Sequence, residues 1–122
     1  ESRQINSVLV IYDDPVNQLL ARQLILSQRP GIHIQEALTA ERGLEIIDQG
    51  EQFDLILMDL HLPGINGFAA TEQLRKRQVF SPVYILSANS AKDHQEAVIN
   101  CGAQGFIEKP LSKAGLSQLL RN

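Results

Sequence analysis

Five side chains able to do chemistry follow directly on apolar runs. Asp13 and Asp14 come after Val8-Leu-Val-Ile-Tyr12, Asp59 after Leu55-Ile-Leu-Met58, Ser87 after Val83-Tyr-Ile-Leu86, and Lys109 after Gly105-Phe-Ile-Glu108. Unbroken apolar runs closed by turn residues read as strands buried on both faces, the habit of parallel sheets. The carboxyl ends of parallel strands share one edge, where ligands bind. The five groups are therefore expected to meet, although each is ordinary alone. Carboxylates that close repel one another unless a cation intervenes. Hard oxygen donors without a His–Cys set suit Mg²⁺ or Mn²⁺. A carboxylate beside such an ion can act as a nucleophile and form an aspartyl phosphate. A lysine and a serine opposite it can hold the phosphoryl oxygens.

The elements that must position these groups alternate along the chain. The first strand is expected over Ser7–Tyr12, then a helix over Pro15–Gln28, with Asp14 as N-cap and Pro15 at the first helical position. Its inward face is read as Leu19, Leu20, Leu24 and Ile25. A half-buried strand at Ile32–Ala37 follows, near an edge. The next helix, Thr39–Gln49, turns Leu44, Ile46 and Ile47 inward and ends at Gly50. Asp54–Asp59 is the central strand, closed by the turn signal Leu60-His-Leu-Pro-Gly64. A helix over Asn66–Gln78 carries Phe68, Ala69 and Leu74 as its apolar residues, and Arg75-Lys-Arg77 is read as a solvated helix end. A strand at Ser81–Ser87, a helix at Ala91–Cys101, a short strand at Gln104–Glu108 and a helix at Ser112–Leu120 complete the set. Strand–helix alternation predicts an α/β domain, a parallel sheet with right-handed crossovers and helices on both faces. Alternation alone leaves the strand order open.

The totals exclude several classes. A chain of 122 residues fits one domain, 1–122, with a core of its own. A net charge of -3 argues against a nucleic-acid surface. Cys101 is the single cysteine, so neither an intrachain disulfide nor a cysteine metal cluster is expected. No apolar run is long enough to span a bilayer, and no signal peptide opens the chain. Membrane contact is not expected, and a cytoplasmic domain is the simplest fit. The chain begins Glu1-Ser-Arg-Gln4 without an initiator Met, as a domain excised from a longer protein would.

Met58-Asp-Leu-His-Leu-Pro-Gly-Ile-Asn-Gly67, Ser87-Ala88 and Lys109-Pro110 together resemble the receiver domain of two-component signalling, over nearly the whole chain. The resemblance implies a flavodoxin-like (βα)5 three-layer sandwich of strand order 2-1-3-4-5. It implies that Asp59 is the phosphoacceptor, that Ser87 and Lys109 hold phosphoryl oxygens, and that Lys109-Pro110 is a cis peptide. It also implies that the backbone carbonyl of His61 joins Asp59 on the metal, and that Ser87 and Phe106 form the switch. Receivers usually carry two acids after the first strand. Matching Pro15-Val-Asn-Gln18 to the family pattern puts Tyr12 on the first acid and Asp13, the direct metal ligand, on the second. Asp14 then occupies a variable position, from which it replaces the missing acid only by turning inward. Metal binding is expected to survive Tyr12 in weakened form.

These readings converge on a phosphoacceptor switch of a phosphorelay. The expected donor is a histidine kinase or a histidine phosphotransfer domain. The output or effector domain would meet the face made by the fourth helix, fifth strand and fifth helix. The domain itself is not a turnover enzyme, whereas its parent chain, on the resemblance of the Pro-Val-Asn-Gln-Leu-Leu-Ala-Arg segment, is read as a hybrid sensor histidine kinase rather than a response regulator. The alternative is a pseudo-receiver scaffold with weak or no phosphorylation, supported by Tyr12. An aspartate-nucleophile phosphatase fits poorly, because His61 stands where such enzymes carry a second Asp. A flavin carrier fits poorly too, since no Ser/Thr/Gly-rich phosphate loop follows the first strand.

Overall fold

The computed structural model describes residues 5–87, 91–109 and 111–120. Its elements are β1 (Ser7–Ile11), α1 (Pro15–Gln28), β2 (His33–Ala37), α2 (Ala40–Asp48), β3 (Leu55–Asp59), α3 (Gly67–Lys76), β4 (Val83–Ser87), α4 (Ala91–Cys101), β5 (Gly105–Glu108) and α5 (Lys113–Leu120). All four strand pairings are parallel, and the order is β2-β1-β3-β4-β5. This is the flavodoxin-like order, with the half-polar strand β2 at one edge as its alternation predicts.

The period of two in a strand divides the core into halves. Leu9 and Ile11 of β1, Ile56 and Met58 of β3, and Val83 and Ile85 of β4 face one way. They meet Ala40, Ile46 and Ile47 of α2, Ala70 and Leu74 of α3, and Val98 of α4. Val8, Val10, Leu55, Leu57 and Leu86 face the other way and meet Ala21 and Ile25 of α1 and Leu116 and Leu120 of α5. Burial on both faces explains why these strands are continuous apolar runs.

Side chains at helix starts fix where helices begin. Asp14 Oδ1 accepts the Val16 N–H, Thr39 Oγ1 that of Arg42, and Asn66 Oδ1 that of Ala69. Each satisfies an N–H that has no partner within the helix.

One expected helix face is corrected in part. Ile25 is buried as expected, whereas Leu19 and Leu20 are 53% and 51% exposed, and α1 buries Gln18 and Ala21 in their place. The small Ala21 lets α1 lie close to the sheet, and Gln18 is drawn in by carbonyls at the strand ends. In α3 the buried set is Gly67, Ala70, Thr71 and Leu74, while Phe68 and Ala69 are half-buried.

Arg75 is not a solvated helix end. Its guanidinium donates to the Gly102, Val79 and Ser81 carbonyls and to Gln104 Oε1. Those acceptors precede β4 and β5, so Arg75 lashes α3 to the amino edge of the sheet.

Candidate functional site

Asp59 ends β3, and the sheet carries it to the carboxyl edge between β1 and β4. It is 1% exposed. The turn behind it is shaped by Gly67, where a Cβ would lie 2.6 Å from the Asp59 carbonyl oxygen. Any side chain there would push α3 off the end of β3, which gives the final glycine of the Met58–Gly67 stretch a physical reason. The Gly67 N–H also donates to the Leu60 carbonyl at 2.9 Å.

Lys109 follows β5 and reaches across β4. Its Nζ lies 2.7 Å from Asp59 Oδ1, with the lysine side chain 21% exposed. Its backbone is pinned by the Lys109 N–H donating to the Ser87 carbonyl at 2.8 Å. The His61 N–H donates to the same Asp59 oxygen at 3.2 Å. Burial pushes the Asp59 carboxyl above the ordinary carboxylate range, the Lys109 ammonium and the His61 N–H pull it back, and Asp13 pushes it up again. Burial outweighs the ammonium, so the site holds its negative charge at a cost and favours more positive charge nearby.

Ser87 ends β4, fully buried beside β3 and engaged with its surroundings. Phe106 is half-buried against the core half that contains α4. Asp13 is exposed at the rim, and its charge reaches Asp59. His61 is exposed, as expected, and meets Asp59 through its N–H.

Asp14 takes the N-cap role expected of it and does not turn in to the rim to replace the missing acid. Its two oxygens accept from the Val16 N–H at 2.9 Å and from Asn17 Nδ2 at 3.2 Å. It is a cap, turned toward α1. Among the described residues, no three His, Cys, Asp or Glu side chains gather closely enough to hold a metal ion. Two carboxylates remain, Asp59 and Asp13, and they fit Mg²⁺, which one or two carboxylates hold while waters and phosphate oxygens complete the octahedron. Ala88, Asn89 and the peptide bond into Pro110 lie outside the described residues.

Tyr12 stands just past β1 with its side chain in the core half that contains α1 and α5. Its phenol is pushed up to about 12, first by burial and then by Asp59, Asp13 and Asp14, so it remains a neutral group. Gln18 was not foreseen. Its Nε2 donates to the carbonyls of Val10, Tyr12 and Ala37 at 3.0, 3.2 and 2.7 Å, closing the ends of β1 and β2. The signal was a polar residue on the inward stripe of α1, one turn after two acids.

A family model described as "Response regulator receiver domain" matches residues 8–121. The chain belongs to the response regulator receiver domain family. Among its relatives, the two-component response regulator ORR41 of Oryza sativa subsp. japonica is 31% identical over 120 residues, which cover 98% of this chain and 94% of that protein. The aerobic respiration control sensor protein ArcB of Escherichia coli K12 is 32% identical over 118 residues, or 94% of this chain. That receiver-like stretch is 15% of ArcB's own length. Among solved structures, the receiver domain of the sensor histidine kinase PA1611 from Pseudomonas aeruginosa superposes with a TM-score of 0.82 at 25% identity. The superposition covers 98% of this receiver and 96% of that chain, and the PA1611 structure has a magnesium ion in its active site cleft. Receivers of two-component systems accept phosphoryl groups from histidine kinases or phosphotransfer domains and generally bind Mg²⁺. Among the described residues, no helix is long and apolar enough to cross a membrane.

Proposed function

We propose that Asp59 is the phosphoacceptor and that a phosphohistidine on a histidine kinase or histidine phosphotransfer domain is the donor. The observation that carries this is a buried carboxylate held 2.7 Å from a lysine ammonium at the carboxyl edge of the sheet. The Asp59 oxygen attacks phosphorus and the P–N bond to the donor imidazole breaks, its electron pair returning to that ring nitrogen; a proton taken up from solvent on the other ring nitrogen lets the donor leave as neutral imidazole. Asp13, Asp59 and the His61 carbonyl would hold Mg²⁺, which would neutralise the charge of the incoming phosphoryl oxygens. Lys109 and the Ser87 hydroxyl take phosphoryl oxygens, in the manner of donors aimed at developing charge.

The new dianion adds acceptors beside Ser87 and Phe106. Their response is the switch, and α4, β5 and α5 form the face read by an output or effector domain. Hydrolysis of the acyl phosphate resets the state, so the domain does not turn over a free substrate. We place it in a cytoplasmic hybrid sensor histidine kinase.

The test is labelling with acetyl phosphate and Mg²⁺. The parent should label and Asp59→Asn should not. A variant that labels like the parent removes Asp59 from the role. A second reading, a pseudo-receiver scaffold, is favoured by Tyr12 at the first acid position and by Asp14 serving as a cap. Beryllofluoride with Mg²⁺ separates the two: resonances around Asp59 shift in a phosphoacceptor and stay still in a scaffold.

A further inference from the structure

Lys109 has two partners. Besides Asp59, its Nζ lies 5.0 Å from the centroid of the Tyr12 ring. An ammonium over the face of an aromatic ring at that range is attracted by the ring quadrupole, more strongly when water is excluded. Here the lysine side chain is 21% exposed and Tyr12 is 4% exposed. The ring is itself held in place. The Tyr12 N–H donates to Ala37 at 3.0 Å, its carbonyl accepts from Gln18 at 3.2 Å, and its side chain packs in the core half of α1 and α5.

We propose that Tyr12 is a positioning residue that holds the Lys109 ammonium on Asp59. The ring is an uncharged partner that offers its face to the ammonium. An acid at the same place would compete with Asp59 for the ammonium. The ring attracts the ammonium and leaves Asp59 as its one ion-pair partner among the described residues, so the cation waits in the position from which it can meet a phosphoryl oxygen. Its orientation is set before the donor arrives, which lowers the ordering cost of the transfer. The consequence for transfer rests on the phosphoacceptor reading, whereas the contact itself does not.

The first measurement needs no variant. In the parent, the ε-methylene protons of Lys109 should be shifted upfield by the Tyr12 ring current; values of a free lysine overturn the proposal. The second measures exchange of the Lys109 ammonium protons with water. Tyr12→Leu, which keeps an apolar side chain but removes the ring, should speed exchange about tenfold. Tyr12→Phe, which keeps the ring, should restore the parent rate. Unchanged exchange in a folded Tyr12→Leu protein, or a Tyr12→Phe protein as fast as Tyr12→Leu, overturns the proposal. Should Tyr12→Leu fail to fold, the parent ring-current shift and Tyr12→Phe still decide. Acetyl phosphate labelling of the parent is read separately. A ring-shifted, slowly exchanging Lys109 in a protein that never labels supports the positioning role while ending the phosphoacceptor reading.

Discussion

Lys109 and Arg75 are both cations at strand ends, one at the carboxyl edge of the sheet and one at the amino edge. Lys109 places a point charge on one carboxylate and leans on one ring. Arg75 spreads five hydrogen bonds over four neutral oxygens from three loop residues and Gln104. A flexible ammonium can change partners when a new anion arrives, whereas a planar fork shared among fixed carbonyls cannot move without breaking several bonds at once. The same charge thus makes one exchangeable ion pair at one edge and a fastening at the other. Arg77 shows a third, weaker use, a surface pair with Asp48 at 2.9 Å that counts for little in high dielectric.

The largest expected effect separates chemistry from fold at the carboxyl edge. Asp59→Asn should abolish labelling by acetyl phosphate while the protein remains folded, as read by mass spectrometry and circular dichroism together. The mirror experiment at the amino edge is Arg75→Met. It leaves part-buried carbonyls without donors and should cost about 2 kcal/mol in urea unfolding, with labelling of Asp59 retained in the folded fraction. Loss of labelling from a folded Arg75→Met protein would show that the fastening belongs to the switch and erase the contrast between the edges.

How far each edge was legible in the sequence follows from the same physics. Asp59 and Ser87 could be placed because each ends a strand that is almost wholly buried, and such strands are the loudest signal a sequence carries; Lys109 follows the half-buried edge strand β5 and was carried by the Lys109-Pro110 resemblance. The strand order came from resemblance, since alternation fits several orders. Arg75 was misread because its acceptors are mostly backbone carbonyls in the loops that follow α3 and α4 and lead into β4 and β5, and backbone oxygens have no residue type to recognise. Leu19 and Leu20 were misread because the stripe of α1 was judged by hydrophobicity. Gln18, a polar residue, fits the strand-end carbonyls and turns both leucines to solvent. The Tyr12–Lys109 contact was invisible for a related reason: Tyr12 was weighed only as a lost charge, not as a ring with a face.

Restoring that charge sharpens the comparison from the metal's side. Tyr12→Asp adds a carboxylate beside Asp13 and Asp59. It should raise Mg²⁺ affinity about tenfold, the scale of one added charge a few ångströms away in partly solvated surroundings. Titration followed by amide resonances near Asp59 checks it. An unchanged affinity would mean that position 12 does not face the metal, and that Tyr12 costs the receiver nothing in metal binding.

The smallest effect concerns the cost of keeping Asp59 charged. Its carboxyl is raised above 3.8, chiefly by burial. A carboxyl raised in the folded state stabilises the fold in its protonated form, at pH below the unfolded carboxylate value. That contribution is lost as pH rises through the raised folded value. Asn has no charge to bury. The melting temperature of Asp59→Asn relative to the parent, without Mg²⁺, should therefore climb as pH rises from the ordinary carboxylate range through the titration of Asp59, and then level off. Calorimetry across that window reads it directly. If the advantage instead shrinks as pH rises, the attraction of Lys109 outweighs burial, and the carboxyl edge is held together by its ion pair much as the amino edge is held by Arg75.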